Sequence, residues 1–90
     1  MKLIPNKTNL LYFSGPHCSQ CKSVTAFIDG LSNPKINVIK KDVSTPDGIK
    51  SASKYSVMSV PSLFLFEGNK LTKTYTGNVN ITELAALLPS

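Results

Sequence analysis

An apolar run, Asn9-Leu10-Leu11-Tyr12-Phe13, is cut off by Ser14-Gly15-Pro16, and a stretch with helical apolar spacing follows at once. This junction constrains the fold more than any other feature. A short run of large apolar residues reads as a buried strand, and Gly-Pro breaks regular structure. Cys21, Val24, Phe27, Ile28 and Leu31 then make one apolar helix face. Gly30 or Asn33 can end that helix, and Pro34 cannot continue it. Residues 36–40 supply the next strand. Strand, helix and strand in this order require a parallel pair with a right-handed crossover.

The second half reads differently. Ser44 or Thr45 caps a second helix with Pro46 at its first position and Asp47 in its first turn. Ile49, Ala52 and Tyr55 are expected to face inward, and Gly48 weakens the helix. Residues 62–66 form a strongly apolar third strand, 67–69 a turn, and 70–75 an edge strand. On that edge strand Leu71, Lys73 and Tyr75 share one face. Asn80 caps a last helix, with Glu83 placed to reach back as in a capping box. Its expected stripe is Ile81, Leu84, Ala85 and Leu88, and Pro89 closes it. The order is β-α-β-α-β-β-α, an α/β fold with helices on both faces of a four-stranded mixed sheet.

The 90 residues suggest one domain, 1–90. No stretch approaches the roughly 18 apolar residues of a membrane span. The first six residues are too short and too soon interrupted for a signal peptide. A cytoplasmic protein without membrane contact is therefore expected. The net charge is +5, and every basic residue is lysine. Without arginine, bidentate reading of bases and phosphates has no side chain to perform it, which argues against a nucleic-acid partner. The lysines are scattered, as on a solvated surface.

Two cysteines, Cys18 and Cys21, stand three positions apart. A secreted disulfide framework calls for more cysteines, spaced further apart. A structural zinc site needs four ligands, and only Cys18, Cys21 and His17 lie close in sequence. A cluster would need thiolates from a second chain, and a structural disulfide over so short a loop stabilises little. Redox chemistry fits the spacing best. Cys18 falls at the exposed N-terminal end of the helix, where unpaired amides and the dipole favour an anionic sulfur below the usual thiol pKa of about 8.5. Cys21 lies one turn deeper, on the face of Val24 and Ile28, shielded but within reach of Cys18. Cys18 would attack a disulfide, and Cys21 would resolve the mixed disulfide. His17 and Lys22 flank the pair, His17 to tune the thiolate or touch a partner.

The segment Phe13-Ser14-Gly15-Pro16-His17-Cys18-Ser19-Gln20-Cys21-Lys22 resembles the active-site segment of thioredoxins and glutaredoxins. The segment from Tyr55 through Val60-Pro61-Ser62 to Phe66 resembles the one carrying that family's cis-proline, and Gly77 matches a glycine after the last strand. The resemblance covers about residues 9–88 and implies a thioredoxin fold. It implies a cis bond between Val60 and Pro61, lying against the disulfide, with the Val60 backbone free to pair with a bound polypeptide. Thioredoxins carry tryptophan before the first cysteine and Gly-Pro between the pair, where this chain has His17 and Ser19-Gln20. They carry a buried aspartate where this chain has Tyr12, and Lys40 matches the lysine that accompanies it. Cys-x-Gln-Cys with Thr25 nearby is closer to glutaredoxin-like donors for ribonucleotide reductase.

The expected function is thiol–disulfide exchange on disulfide-containing proteins. Cys18 and Cys21 are the catalytic residues, and Val60, Pro61, His17 and Gln20 the substrate-binding ones. Ribonucleotide reductase is a candidate acceptor. No bound cofactor or metal is expected, because the dithiol is its own redox carrier. A monomer is expected, recharged by a thioredoxin reductase-like flavoenzyme rather than by glutathione. Gly77-Asn78-Val79-Asn80 lacks the paired glycines and acidic residue with which glutaredoxins hold glutathione. The competing reading is a non-catalytic binding module or accessory subunit of a larger assembly.

Overall fold

A computed structural model describes residues 2–89. Its elements are β1 (Thr8–Ser14), α1 (Cys21–Asp29), β2 (Ile36–Asp42), α2 (Pro46–Lys54), β3 (Ser62–Glu67), β4 (Lys70–Thr76) and α3 (Ile81–Leu87). The sheet order is β2-β1-β3-β4. β1 runs parallel to β2 and antiparallel to β3, and β3 pairs antiparallel with β4. The expected mixed sheet is therefore present. The apolar runs of β1 and β3 have the same origin: both strands are central and covered on both faces.

Side chains alternate across the sheet. On one face Leu10, Tyr12, Leu63, Leu65 and Tyr75 pack beneath Val24 and Ile28 of α1 and Leu84 of α3. On the other, Leu11, Phe13, Phe64 and Phe66 meet Ala52, Tyr55, Val57 and Val60 around α2. The Tyr55 and Phe64 rings lie 5.3 Å apart and tilted, a favourable aromatic geometry.

Asn9 is fully buried at the end of the sheet remote from the cysteines. Its Nδ2 donates towards the carbonyls of Ile4, Lys7 and Gly68 at 3.1, 3.2 and 2.9 Å. Its Oδ1 accepts from the Ile4 amide at 3.0 Å and from Asn37 Nδ2 at 2.9 Å. A buried polar side chain needs such partners, and here they bind the segment before β1 to the β3–β4 turn.

Four expectations are corrected. Ile49 is 56% exposed rather than inward. The inward face of α2 is set by Gly48, Ala52 and Tyr55, which recur at helical spacing, and Ile49 is turned off it. Gly48 sits so close to β2 that a Cβ would overlap the Asp42 carbonyl, so close approach explains a glycine that helix propensity disfavours. Leu71 is 47% exposed, because the β3–β4 register shifts between Leu65 and Phe66 and breaks the alternation. Ala85 is exposed and lies outside the stripe of Ile81, Leu84 and Leu88. Asn80 caps α3 as expected, accepting from the Glu83 amide at 3.0 Å. The Glu83 carboxylate, however, turns to the Tyr75 hydroxyl and to Lys73 Nζ.

Candidate active site

The site lies where β1 and β2 end and β3 begins. After Ser14 the chain leaves the sheet through Gly15-Pro16 and turns twice before α1. The Cys21 amide bonds the Cys18 carbonyl at 3.2 Å, and the Lys22 amide bonds the Ser19 carbonyl at 3.4 Å. The regular helix thus starts at Cys21, and Cys18 occupies the turn leading into it rather than the helix itself. Gln20, the residue before α1, already has helical dihedrals (φ −71°, ψ −22°) and gives no side-chain cap, and the first turn holds no acid. The positive end of the α1 dipole faces this turn with no side-chain anion upon it.

Cys18 and Cys21 are joined as a disulfide, with Cα atoms 5.3 Å apart. Cys21 is 4% exposed, against the core, whereas Cys18 is only partly buried. A thiol partner from outside can therefore approach the Cys18 sulfur far more readily than that of Cys21.

Cys18 lines a cleft of about 420 Å³ together with His17, Gln20, Val43 and Val60. The Val60–Pro61 bond is cis, and Pro61 is fully buried. Around it, Ser62 Oγ donates to the Ser59 carbonyl at 2.6 Å and the Gly77 amide to the Pro61 carbonyl at 2.8 Å. Gly77 has φ +77°, and a Cβ there would press on Ser59 Oγ, so this position requires glycine. The Val60 N–H and C=O find no hydrogen-bond partner among the described residues. An unpaired backbone donor and acceptor beside the Cys18 sulfur are groups to which an extended polypeptide can bond.

The structure thus brings all six sequence-derived residues, Cys18, Cys21, His17, Gln20, Val60 and Pro61, to one end of the sheet. Val43 belongs with them and was missed. Its signal was a lone apolar residue between Asp42 and Ser44, just past β2. A separate cleft of about 540 Å³ lies between β4 and α3 near Thr8, Glu67 and Glu83 and holds neither cysteine. Among the described residues no three His, Cys, Asp or Glu side chains group as a metal site would require.

Beneath α1, Tyr12 is fully buried. Its hydroxyl lies 2.9 Å from Thr25 Oγ1 and donates to the Cys21 carbonyl at 3.2 Å. Burial pushes this phenol above its ordinary range, against the bond to Thr25, which pulls it down. Lys40 is half exposed and pairs with Asp29 at 2.7 Å, near the end of α1.

A redox disulfide at the start of a helix, opposite a cis-proline on a β2-β1-β3-β4 sheet, defines a thiol–disulfide oxidoreductase of thioredoxin fold. The chain belongs to the thioredoxin family, whose model, Thioredoxin, matches residues 2–90. It is 32% identical over 82 residues to a thioredoxin of Synechocystis sp., covering 88% of this chain and 75% of that protein. It is 30% identical over 89 residues to protein disulfide-isomerase erp38 of Neurospora crassa, covering 92% of this chain but 24% of that one. Thioredoxin O2 of Arabidopsis thaliana, in the oxidized state, superposes with a TM-score of 0.79 at 25% identity, over 91% of this chain and 72% of that one. No helix among the described residues is long and apolar enough to cross a membrane.

Proposed function

We propose that this chain reduces disulfides in protein substrates by dithiol exchange, with Cys18 as nucleophile and Cys21 as resolving thiol. The observation that carries the assignment is the difference between the two sulfurs. Cys18 is partly open to a cleft, and Cys21 is buried one turn further on. Val60 offers its unpaired backbone to the substrate chain, with Pro61 behind it. His17 and Gln20 form the rim that the substrate crosses. Reduction of insulin by dithiothreitol tests this. The wild type is expected to accelerate it, and Cys18→Ser is expected not to. Equal rates with and without the wild type would favour the binding-module reading.

For recharging, a thioredoxin reductase-like flavoenzyme is the better partner than glutathione. Glutathione is small and doubly carboxylated, so it needs placed donors for its charged ends. The segment where glutaredoxins hold it is occupied otherwise here. Val79 is buried, and the Asn80 side chain caps α3. Faster steady-state turnover with glutathione and its reductase than with NADPH and a thioredoxin reductase would reverse this choice. Ribonucleotide reductase is an acceptor to test in the same coupled assay, on the strength of the Cys-Ser-Gln-Cys segment and Thr25.

A further inference from the structure

The sheet has two outer strands, and their edges are unlike. β4 pairs with β3 through a register shift, and its exposed side chains are threonine and lysine apart from Leu71. Such features blunt an edge. β2 keeps an unbroken register with β1 over all 7 of its residues. Its Ile36, Val38 and Ile39 are only half-buried, so the apolar layers on both faces of the sheet run out to this edge and stop there. Lys40 and Lys41 carry the charges that ordinarily repel an incoming strand, but each is tied to an acid of this chain, Asp29 and Asp47.

Backbone parity fixes what the β2 edge offers. The Thr8 amide donates to the Lys35 carbonyl at 3.0 Å, and the Val43 amide to the Ser14 carbonyl at 2.9 Å. In the parallel ladder between those bonds, Asn37, Ile39 and Lys41 turn their backbone groups to β1, and Ile36, Val38, Lys40 and Asp42 turn theirs outward. Of the outward groups, the Ile36 N–H donates to the Asn33 carbonyl, and the Asp42 carbonyl accepts from the Thr45 amide. The Ile36 carbonyl, both groups of Val38 and Lys40, and the Asp42 N–H find no hydrogen-bond partner among the described residues. An antiparallel pairing with a second β2, two-fold at Ile39, uses all of them. Val38 and Lys40 exchange bonds across the axis, and the Asp42 N–H meets the Ile36 carbonyl of the second copy. The two groups already engaged fall opposite one another. This register also sets Lys40 against Val38 and Lys41 against Asn37. Centring the axis on Lys40 instead would place lysine against lysine, which is destabilising. Centring it on Val38 would carry the Asp42 N–H past the end of β2.

We infer that a second copy of this chain covers the β2 edge, in place of the monomer expected from the sequence. Two chains pair antiparallel through β2 about a two-fold axis at Ile39, joining two four-stranded sheets into one. The occupant is a copy rather than a foreign strand because the free groups of β2 complement themselves in one register, with no like charges opposed. The pairing also closes. Each chain uses its β2 once, and only the blunted β4 edges remain outside. The axis runs the two β2 strands in opposite directions. The two Cys18 clefts lie past the C-terminal end of each β2 and therefore face away from one another, so the pairing neither needs nor blocks the dithiol chemistry.

Sedimentation equilibrium of the full chain tests the pairing. One strand pair is a small interface, and each chain carries +5. The runs therefore reach about 1 mM chain in about 1 M salt, where the Debye length is about 3 Å. The mean mass is expected to climb towards that of two chains. Val38→Pro removes an N–H that faces away from β1, a change an edge strand tolerates. Each dimer then loses two hydrogen bonds, and association is expected to weaken about tenfold or more, with circular dichroism like that of the wild type. A crosslink reads the register. In a Cys18→Ser, Cys21→Ser background, Ile39→Cys meets its own copy across the axis in a non-hydrogen-bonded pair, with Cα atoms about 4.5 Å apart and within disulfide reach. Asn37→Cys faces Lys41 instead, and its own copy lies about 13 Å further along the strand. Mild oxidation is expected to link Ile39→Cys into a dimer on a non-reducing gel and to leave Asn37→Cys as single chains. A mass that stays at one chain overturns the inference, as does a dimer that Val38→Pro does not weaken, or equal linkage at positions 37 and 39. Should Val38→Pro not fold, the two cysteine variants decide, and an unlinked Ile39→Cys overturns it.

Discussion

The starts of α1 and α2 are built in opposite ways. Thr45 caps α2, its Oγ1 accepting from the Gly48 amide at 3.0 Å, and Pro46 and Asp47 fill the first turn. Asp47 brings a negative charge to the positive end of the dipole and is itself held by Lys41, whose hydrogen bond and charge lower its carboxyl pKa. α1 has none of these features. No side chain caps it and no acid stands in its first turn. The difference shows that the helix start beside the disulfide is left electrically incomplete, while the one that only carries structure is completed by its own side chains. On the function proposed above, a sulfur anion at reduced Cys18 would supply the missing charge.

Removing that sulfur is the largest break in the comparison. Cys18→Ser is expected to bring catalysed insulin reduction to background while leaving the fold intact. Cys21→Ser is expected to accumulate a mixed disulfide with the substrate, visible as a covalent adduct on a non-reducing gel. Catalysis retained by Cys18→Ser would mean that α1's uncapped start serves another purpose.

A subtler change gives α1 the charge that α2 already has. Gln20→Asp places a carboxylate beside the α1 amides and next to Cys18. The helix gains about 0.3–1 kcal/mol from the dipole. The like charge disfavours the thiolate, so alkylation of reduced Cys18 near neutral pH is expected to slow by about threefold to tenfold. A rate equal to the wild type would show that the local field does not govern this sulfur.

Much of this contrast was legible before any coordinates. Thr45-Pro46-Asp47 is a helix start by local chemistry alone, and residues 9–13 and 62–66 read as buried strands because nothing polar interrupts them beyond Asn9 and Ser62. The site could be assembled from two motifs about 40 residues apart, His17-Cys18-Ser19-Gln20-Cys21 and Val60-Pro61, because each carries a local signature and the family resemblance joins them. What stayed hidden depended on contacts across the sheet. Tyr12 gave a local signal, one hydroxyl in an apolar strand, but Thr25 as its partner required knowing how α1 crosses β1. Leu71 was misplaced because a register shift is set by strand pairing and not by alternation. Ile49 was misplaced because Gly48, approaching Asp42 closely, turns α2 about its axis.

The comparison is sharpened by weakening the other helix. Thr45→Ala removes the α2 cap and is expected to cost about 1 kcal/mol, or about 4–8 °C in Tm for a domain of this size. Cys18 alkylation is expected to be unchanged, because the α2 start takes no part in holding that sulfur. Thermal unfolding and iodoacetamide kinetics on the same preparation check both halves. A slower alkylation would mean that the two helix starts are coupled through β2.

The smallest expected effect lies at the third helix start, and it appears only at the extremes of pH. Glu83, in the first turn of α3, is held below its ordinary carboxyl value by the Tyr75 hydroxyl first and Lys73 second. A carboxyl depressed in the folded state contributes stability that is full above the unfolded value near 4.5 and is lost as pH falls through the folded value. Tyr75 is displaced the other way. Burial first, then the bond to Glu83, pushes it from 10.0 to about 12. A raised acid contributes stability that is full below 10.0 and is lost as pH rises through about 12. One hydrogen bond thus leaves a mark at both ends of the pH range. Tyr75→Phe keeps the ring and removes the hydroxyl, so both marks are expected to shrink together, while Asp42 and Asp47 continue to titrate in both proteins. Urea midpoints followed from pH 3 to 5 and from pH 9 to 12, wild type against variant, provide the measurement. Parallel curves at both ends would show that the Tyr75–Glu83 bond contributes nothing to stability in water. A difference confined to the alkaline end would leave Lys73 as the group that holds Glu83 in place.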